Sequence, residues 1–288
     1  MSIRAWFLAI RPATLWAGAV PVIVGAALAA ADGVFDPVMA TLCMVVALGL
    51  QVGCNFVNDF ADGERGVDDD GRLGPTRALA AGLLTARQLK IGAAVAFVIA
   101  AAAGTWAAMA VAPELLWVGF AALIAAVGYT AGPIPLGYHG LGDVLVFFFF
   151  GVVAVCGTYF LQAARVDSHV FVAALAVGAL ATAILVVNNL RDRRTDAKSG
   201  KWTLAARFGG KFARLEYAAL VAMAYAAVVM VALQDRPGWA LALISFPYAV
   251  WLIIRVRRDD GIDLNASLAH TARLELVFGA LLAVGALL

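Results

Sequence analysis

The sequence predicts an all-α polytopic membrane protein with nine transmembrane helices. Composition is the first reason: 64% of the 288 residues are hydrophobic and only 14% are charged, whereas soluble domains average about 45–50% and about 25%. The second reason is the recurrence of apolar stretches of roughly 20 residues, the length that crosses a bilayer as a helix. The third is that nearly all positive charges fall between alternate stretches.

The nine predicted spans follow one another with mostly short connections. The beginning of the chain lacks the pattern of a cleaved signal peptide, so we expect the first apolar stretch to be retained. A single helix through the third and fourth stretches would hold Pro113 in its interior, which favours two separate spans. The predicted spans are residues 14–31, 37–57, 89–111, 114–131, 142–163, 169–190, 212–233, 237–254 and 268–287.

The positive charges indicate how the spans are oriented. With nine spans and a cytoplasmic N-terminus, one side of the membrane holds all of the 21 Lys and Arg residues except Arg165 and Arg236. Short loops rich in Lys and Arg remain in the cytoplasm. We therefore expect a multi-pass protein of the cytoplasmic membrane with its N-terminus inside and its C-terminus outside. The two long polar loops, 58–88 and 191–211, then face the cytoplasm.

An acidic motif begins each of these two loops. Each motif has an Asn, an Asp four residues later and a further Asp three or four residues after that: Asn55, Asp59 and Asp62 in the first, and Asn188, Asp192 and Asp196 in the second. Positions three and four apart share one face of a helix, so each motif directs an amide and two carboxylates to a common point. The equivalent placement, four spans apart, suggests two four-helix repeats within a single domain 1–288, about 10–140 and 141–255, and a ninth helix.

Clustered carboxylates beside Arg and Lys suit a metal ion with a phosphorylated substrate. Mg²⁺ prefers oxygen ligands and is commonly held by one or two carboxylates together with substrate phosphates. Two such clusters facing one cavity suit a diphosphate bridged by metal ions. Cations from both loops can then take up the remaining phosphate charge, Arg in a bidentate manner: Arg72, Arg77, Lys198 and Lys201.

These motifs resemble those of the UbiA superfamily of intramembrane aromatic prenyltransferases. The first family motif, Asn-Asp-x-x-Asp-x-x-x-Asp, is matched by Asn58, Asp59 and Asp62, and the second, Asp-x-x-x-Asp, by Asp192 and Asp196. The last acid of the first motif departs, since Gly66 stands there and Asp68 follows. This departure resembles the 1,4-dihydroxy-2-naphthoate branch, which has Gly-x-Asp and then Arg-x-Gly-Pro-x-Arg, here residues 72–77.

Further matches extend the resemblance over about residues 5–215, while the last three spans match only in character. They are Arg11-Pro12-x-Thr14-Leu15, Tyr129-Thr130-Ala131-Gly132-Pro133, Gly137-Tyr138-His139-Gly140-Leu141-Gly142-Asp143 and Gly200-Lys201-x-Thr203-Leu204. The resemblance implies helices around a central cavity that opens sideways to lipid, with an active site on the cytoplasmic side. It also implies Mg²⁺-dependent transfer of a polyprenyl group from polyprenyl diphosphate to 1,4-dihydroxy-2-naphthoate, with loss of CO₂ and diphosphate. The partners expected are these substrates and the lipid bilayer, and no nucleic acid.

The resemblance, with the chemistry of ionising an allylic diphosphate, gives the candidate residues their roles. We expect five carboxylates to act as metal ligands, directly or through water: Asp59, Asp62, Asp68, Asp192 and Asp196. We expect a second set to bind substrate: Asn55, Asn58, Asn188, Arg72, Arg77, Lys198, Lys201 and Tyr138. The ring of Tyr129 is a candidate to face the allylic cation, since aromatic faces attract positive charge.

Several alternatives remain open at this point. The acceptor could be 4-hydroxybenzoate, homogentisate, a phosphoribosyl donor or a chlorin, although the residues after Gly66 favour the naphthoate. Tyr129 could be an aromatic of the membrane interface, and Asp143 could serve only the N-terminus of its helix. A transporter with paired repeats would place its site near the bilayer midplane. Against this, the spans hold almost no ionisable residues, and we expect Glu216 and Glu275 near cytoplasmic ends.

Overall fold

The computed structural model describes residues 3–65 and 73–288, and throughout these ranges its regular structure is helical. The principal helices are α1 (Ile3–Ile10), α2 (Pro12–Ala31), α3 (Pro37–Glu64), α4 (Ala86–Val111), α5 (Leu115–Gly128), α6 (Gly142–Ala163), α7 (Ser168–Lys198), α8 (Leu204–Gln234), α9 (Pro237–Arg258) and α10 (Gly261–Ala286). A short 3₁₀ turn, Leu136–His139, lies between α5 and α6. The predicted all-helical class is confirmed.

The number of membrane spans is close to the predicted nine. Among the described residues, eight helices, α2 to α4 and α6 to α10, are long and apolar enough to cross a membrane. The remaining predicted span, 114–131, is a helix of only 14 residues, α5, about 21 Å long at 1.5 Å per residue. It is shorter than predicted because the chain turns into a loop at Gly132 and Pro133, where Gly132 has a φ of 88°.

Several helices extend beyond the predicted apolar stretches. α3 continues to Glu64, seven residues past the predicted end at 57, so the first acidic motif lies on the helix itself. α8 begins at Leu204 rather than at 212, with a break at Gly209, whose φ of 81° favours glycine. These extensions correct the expected positions of two acids. Glu216 and Glu275 lie near the middle of α8 and α10, not near their ends, and Glu275 is fully buried.

Helix α7 lies at the centre of the bundle and packs against α6, α8 and α10. Its contact with α6 is especially close at two glycines. A Cβ added to Gly151 would lie 2.6 Å from the carbonyl oxygen of Ala174 and 2.8 Å from the Cα of Gly178. Small residues at helix crossings allow backbones to approach in this way. The same part of α6, Phe147–Cys156, has wider π-helical turns. α7, which carries the second motif, is therefore firmly held.

Exposed aromatic side chains on α4 and α5 are consistent with a lipid-facing surface. Trp106, Trp117 and Phe120 are 66%, 76% and 56% exposed, and large apolar side chains are stable in such positions when hydrocarbon surrounds them. The helices α3 and α7 end at the same end of the bundle, which we call the motif end. We call the opposite end the far end. The chain is thus a multi-pass membrane protein, and the acids of both motifs lie at the motif end.

A cavity of about 790 Å³ lies between α2, α3, α4, α5 and α6. At the motif end it is lined by Asn55, Asn58 and Tyr129, and at the far end by Thr158 and Val166. Most of its other lining residues are apolar. It is closed on one side by α5, in which no residue is buried. The cavity thus joins a polar pole near the motifs to an apolar interior that runs along the bundle.

Candidate active site

Asp62, in the last turn of α3, forms a buried ion pair at the motif end. Its Oδ2 accepts a hydrogen bond from Nη2 of Arg77 at 3.0 Å, and its Oδ1 accepts one from the Tyr138 hydroxyl at 2.7 Å. Burial and the negative charge of Asp62 raise the pKa of the Tyr138 phenol, because both favour its neutral form. Tyr138 therefore remains a donor to Asp62.

Asp59 lies one turn earlier on α3 and supports the backbone of the following loop. Its two oxygens accept from the N–H groups of Ala78, at 3.0 Å, and Leu79, at 3.1 Å. The side chain is almost fully buried. These bonds fix the turn that begins at Arg77 and thereby place the guanidinium that pairs with Asp62. The sequence did not predict this structural role, and metal binding by Asp59 stays a prediction.

Asp192, on α7, is paired with the residue that precedes it. Nε and Nη2 of Arg191 lie 2.7 Å and 2.5 Å from the two carboxylate oxygens, a bidentate arrangement. The Arg191 side chain is only 1% exposed. Its remaining donors reach Asn188 at 2.9 Å and Asn265 of α10 at 2.8 Å. Asn265 in turn donates to the carbonyl of Leu73. This network links the second motif to α10 and to the loop after the first motif.

Asp196, one turn further along α7, is buried and only partly satisfied. Its Oδ1 lies 3.5 Å from Nζ of Lys201. Its Oδ2 is buried and has no hydrogen-bond partner among the residues the structure describes. A buried carboxylate oxygen without a partner is costly unless a ligand satisfies it. Asp196 is therefore a natural position for a bound cation.

The ring of Tyr138 joins the two motifs. Its hydroxyl reaches Asp62 of the first motif, while Nζ of Lys201, which pairs with Asp196, lies 5.7 Å from its ring centroid. The Arg65 guanidinium carbon is 5.1 Å from the same centroid. Both distances are within the range of cation–π attraction. The backbone N–H of Trp202 also donates to the Tyr138 carbonyl at 2.8 Å. The carboxylates of the two motifs thus share one site.

Tyr129, the first residue after α5, lies at the motif end of the cavity. Two glycines fit closely around its side chain. A Cβ on Gly137 would lie 3.0 Å from the Tyr129 ring, and one on Gly142 would lie 2.9 Å from the Tyr129 hydroxyl. Burial and the nearby carboxylates of Asp143, Asp196 and Asp62 raise the pKa of the Tyr129 phenol. The ring is thus held in place between the cavity and the acidic site.

The two asparagines of the first motif have different surroundings. Asn55 donates to the carbonyl of Ile10 and to the Thr14 hydroxyl, both at 2.9 Å, and so bridges the junction of α1 and α2. Asn58 accepts a hydrogen bond from the Thr130 hydroxyl, next to Tyr129. Both side chains also line the cavity. Asn58 is therefore placed beside the candidate cation-facing ring, whereas Asn55 is already engaged in structural bonds.

Comparison with known proteins decides the family. The profile of the UbiA prenyltransferase family matches residues 19–279. The chain belongs to the UbiA prenyltransferase family. It is 39% identical to the 1,4-dihydroxy-2-naphthoate octaprenyltransferase of Mycobacterium leprae over 99% of this chain and 97% of the relative. The Escherichia coli protein of the same name is 36% identical, covering 98% of this chain and 94% of the relative. The UbiA fold and the prenyltransferase class predicted from the motifs are confirmed.

Solved structures of the family share the fold. A UbiA homolog from Archaeoglobus fulgidus bound to GPP and Mg²⁺ superimposes with a TM-score of 0.69, at 16% identity, over 97% of this chain and all of that chain. A second structure of that homolog, bound to DMAPP and Mg²⁺, gives a TM-score of 0.68. At this level of identity the similarity concerns the architecture. The protein is a UbiA-fold membrane prenyltransferase.

The remaining residues predicted for this UbiA-family site are placed less centrally or lie outside the described ranges. Asp68 and Arg72 fall in residues 66–72, which the structure does not describe, so their roles stay predictions. Lys198 is exposed at the end of α7, whereas Asp196, two residues earlier, is buried. The structure therefore brings together one aspartate pair from each motif, Arg77, Lys201 and the two tyrosines.

Three site residues were not assigned a role from the sequence. Arg191 is buried, and its guanidinium binds the Asp192 carboxylate. Arg65 donates to the carbonyls of Thr130 and Gly132, at 2.5 Å and 2.8 Å, and so fixes the loop beside Tyr129. Asn265 lies on a helix that carries no motif. Arg191 directly precedes the motif acid Asp192, and Arg65 lies three residues after Asp62, so closeness to a motif is a usable signal for both, whereas Asn265 has none.

The residues at the motif end fit a Mg²⁺ ion. The donor set is made of carboxylate oxygens, the ligands that Mg²⁺ prefers, and one of them, Oδ2 of Asp196, is buried without a partner within the described ranges. Arg191 binds Asp192 in the manner of a residue that orients a ligating carboxylate. Among the described motif acids, Asp196 is thus the one that leaves an oxygen available for an ion, and metal binding by Asp62 and Asp192 stays a prediction.

A second polar cluster lies at the far end and has a different character. Asp32, Asp167 and His169 have potential ligand atoms within 4.8 Å of one another. Asp32, however, already pairs with Arg236 at 2.6 Å, accepts from the Tyr159 hydroxyl at 2.6 Å and lies 3.2 Å from His169. Its oxygens are satisfied by these neighbours. The cluster joins α2, α6, α7 and the loop before α9 as an ion-pair network.

Proposed function

We propose that this UbiA-family enzyme transfers a polyprenyl group from polyprenyl diphosphate to 1,4-dihydroxy-2-naphthoate. The allylic C–O bond breaks and its electron pair leaves with diphosphate, while a ring carbon of the acceptor forms a new bond to the allylic carbon. Loss of CO₂ from the acceptor gives the demethylated precursor of menaquinone. The relatives of this name, at 33–39% identity over nearly the whole chain, support the choice of acceptor.

The diphosphate pole of the site is assigned to the motif end. Mg²⁺ held by Asp62, Asp192 and Asp196 would stabilise negative charge on the leaving diphosphate. Arg77 and Lys201, each already paired with one of these acids, are placed to donate to phosphate oxygens, Arg77 in a bidentate manner. Arg72, Lys198 and Asp68 are proposed to assist from the loops. These groups bind the diphosphate and fix its orientation toward the cavity.

The hydrocarbon part of the donor is assigned to the apolar cavity. A cavity of about 790 Å³ that starts beside Asn58 and Tyr129 and runs toward the far end suits a long isoprenoid chain. The allylic carbon would then lie near the Tyr129 ring, whose face attracts positive charge by about 0.5–2 kcal/mol. Apolar walls also keep water from the cation.

The orientation in the membrane follows from the charges. We propose that the motif end faces the cytoplasm, since short loops rich in Lys and Arg remain on that side. The far end, which holds Arg165 and Arg236, then lies outside. A cytoplasmic site would meet diphosphate, Mg²⁺ and a water-soluble naphthoate directly. The membrane is proposed to be the cytoplasmic membrane.

One observation carries this proposal above the others: the contact of Tyr138 with Asp62 of the first motif and its proximity to Lys201, the partner of Asp196 in the second. A diphosphate needs carboxylates and cations around one point, and this arrangement supplies them from both motifs at the mouth of the cavity. A midplane transport site would lack this gathering at one end.

The proposal is tested with purified protein, a polyprenyl diphosphate and Mg²⁺, offering 1,4-dihydroxy-2-naphthoate and 4-hydroxybenzoate in competition. We expect a prenylated, decarboxylated naphthalene product by mass spectrometry, lost on adding EDTA and restored by Mg²⁺. Prenylated hydroxybenzoate as the main product would overturn the acceptor and keep the donor chemistry. No product with either acceptor from a folded sample would contradict the proposed reaction.

A further inference from the structure

Asp143 is a buried carboxylate at the active-site end that the diphosphate site does not use. It lies in the first turn of α6 and is 5% exposed. One of its oxygens, Oδ1, is buried and has no hydrogen-bond partner among the described residues. An acid that served only the helix N-terminus would be as effective in contact with water. Burial of an unsatisfied oxygen has a cost, which a bound hydroxyl group would remove.

The surroundings of Asp143 place it beside the cavity. Val146, one turn further along α6, lines the cavity, and residues three apart share a helix face. The preceding residue, Gly142, is in close contact with the Tyr129 hydroxyl, and the Asp143 charge acts on that hydroxyl. Tyr129 itself lines the motif end of the cavity. Asp143 therefore lies next to the point where the allylic carbon and an acceptor ring are expected to meet.

Asp143 also differs from the acids of the two motifs. Asp62, Asp192 and Asp196 are each paired with a cation, Arg77, Arg191 and Lys201 respectively. Within the described part of the chain, Asp143 forms no such ion pair. The motif acids thus belong to a cation-rich site that suits diphosphate. Asp143, in contrast, can accept a hydrogen bond from a neutral group such as the hydroxyl of a phenol or naphthol.

We propose that Asp143 binds a hydroxyl of the aromatic acceptor and accepts its proton during prenyl transfer. The inference rests on the proposed function and names the residue that binds the aromatic acceptor. As the hydroxyl proton moves to the carboxylate of Asp143, the oxygen lone pair forms a C=O bond and a ring carbon attacks the allylic carbon. One C–C bond forms, the allylic C–O bond breaks, and diphosphate leaves with the electron pair. Tyr129 confines the acceptor on the side of α5.

The first test compares Asp143→Asn with wild type in the naphthoate assay. The amide keeps the size of the carboxylate but accepts no proton, so we expect kcat to fall by about 10²–10⁴-fold, the range typical of general-base groups. KM for polyprenyl diphosphate should stay within about threefold of wild type, because the motif acids remain. A kcat within about threefold of wild type would overturn the assignment, even though prenyl transfer by wild type would still support the proposed function.

A pH profile separates proton transfer from a structural role. The titratable groups that act electrostatically together with Asp143 are Tyr129 and Glu216. In Asp143→Asn, kcat should recover as the pH rises and the acceptor hydroxyl ionises without a base, whereas a merely structural defect would not recover. A matched control, Asp36→Asn at the N-terminus of α3, should leave kcat and its pH profile close to wild type.

A measurement on wild type keeps the inference falsifiable if the variant does not fold. Dihydroxynaphthoate is bound together with Mg²⁺ and an unreactive thiodiphosphate analogue of the donor, and its absorption spectrum is recorded near neutral pH. We expect the hydroxyl band of the bound acceptor to shift toward that of the hydrogen-bonded or ionised naphtholate. A spectrum identical to that of the neutral naphthol in an apolar solvent would contradict the proposal.

Discussion

The Tyr138 hydroxyl donates to the Asp62 carboxylate at 2.7 Å, deep at the motif end of the bundle. The same ring has Lys201 5.7 Å from its centroid, so a residue of the loop before α6 connects the acids of α3 and α7. Two helix ends that are separated by well over a hundred residues in the chain thereby form one site. The contact also fixes the orientation of Asp62, whose other oxygen is bound to Arg77.

Tyr138→Phe should weaken diphosphate binding without unfolding the enzyme. The variant keeps the ring and its cation contacts but leaves Oδ1 of Asp62 without its donor, which costs about 1–3 kcal/mol for a buried acceptor. We expect a loss of about 5- to 100-fold in kcat/KM for polyprenyl diphosphate. Tyr225→Phe is a matched control, because the buried Tyr225 hydroxyl forms a 2.7 Å hydrogen bond with Ser245 and this pair does not lie at the motif end. Equal activity of Tyr138→Phe and wild type would remove this contact from the site.

Arg191→Ala should be strongly destabilising. It leaves the Asp192 carboxylate without its buried partner, a change that typically costs about 3–5 kcal/mol. A lowered thermal midpoint in a fixed detergent is the expected result, and the second change Asp192→Asn should recover part of the loss because it removes the uncompensated charge. If the double variant were less stable than Arg191→Ala, the pair would not be the cause of the instability.

Much of the architecture could be predicted because apolar length and charge are local properties of the sequence. The end of α3 is harder to predict, because Asp59 and Asp62 are polar and yet lie within the helix. Their carboxylates accept hydrogen bonds from Ala78, Arg77 and Tyr138. Such partners lie far along the chain and no spacing reveals them. The proposed four-helix repeat stays a prediction.

For the site residues, too, local sequence features could be predicted and long-range contacts could not. Motif spacing identified the carboxylates of Asp192 and Asp196, but not that Arg191 binds the first and Lys201 the second. The helical periodicity of the sequence does not distinguish Arg191 from the neighbouring cations. Only the packing of α10 shows that the Arg191 side chain points inward to Asn265. Burial of a charged side chain depends on tertiary contacts, which a single sequence does not contain.

Acid should weaken the far-end network. Burial tends to raise the pKa of Asp32, but hydrogen bonding to Tyr159 and the pairing with Arg236 outweigh it and hold the pKa below its ordinary value of 3.8. The hydrogen bond from Arg165 similarly lowers the pKa of Asp167. Since both folded-state values lie below the unfolded ones, this stabilisation is present above about pH 4 and is lost as the pH falls through the folded values.

Thermal unfolding of wild type and Asp32→Asn between pH 3 and pH 7 measures this contribution. The variant should be less stable than wild type at neutral pH, and the difference should shrink toward the acidic end because wild-type Asp32 becomes protonated there. Prenyl transfer at neutral pH by the folded variant should remain measurable, as the network is remote from the motif end. A stability difference that does not depend on pH would contradict the assignment.

Gly137→Ala should impair the reaction through Tyr129. The added Cβ would lie 2.9 Å from the Tyr129 carbonyl oxygen and 3.0 Å from its ring, so one of these groups must move. We expect a fall in kcat of about tenfold or more, in line with the sensitivity of catalysis to small displacements. Gly128→Ala is the control, because its nearest neighbour would be at an ordinary 3.9 Å. Equal kcat in both variants would show that the position of the Tyr129 ring is not limiting.

The central claim is that both motifs build one diphosphate site, and a double-mutant cycle tests it most directly. Apparent affinity for polyprenyl diphosphate in saturating Mg²⁺ is measured for wild type, Tyr138→Phe, Asp196→Asn and the double variant. Residues that act on one bound group show coupling of about 0.5–3 kcal/mol, whereas independent sites add within about 0.3–0.5 kcal/mol. We predict coupling above about 0.5 kcal/mol. Strict additivity, with both single variants weakened, would contradict a shared site.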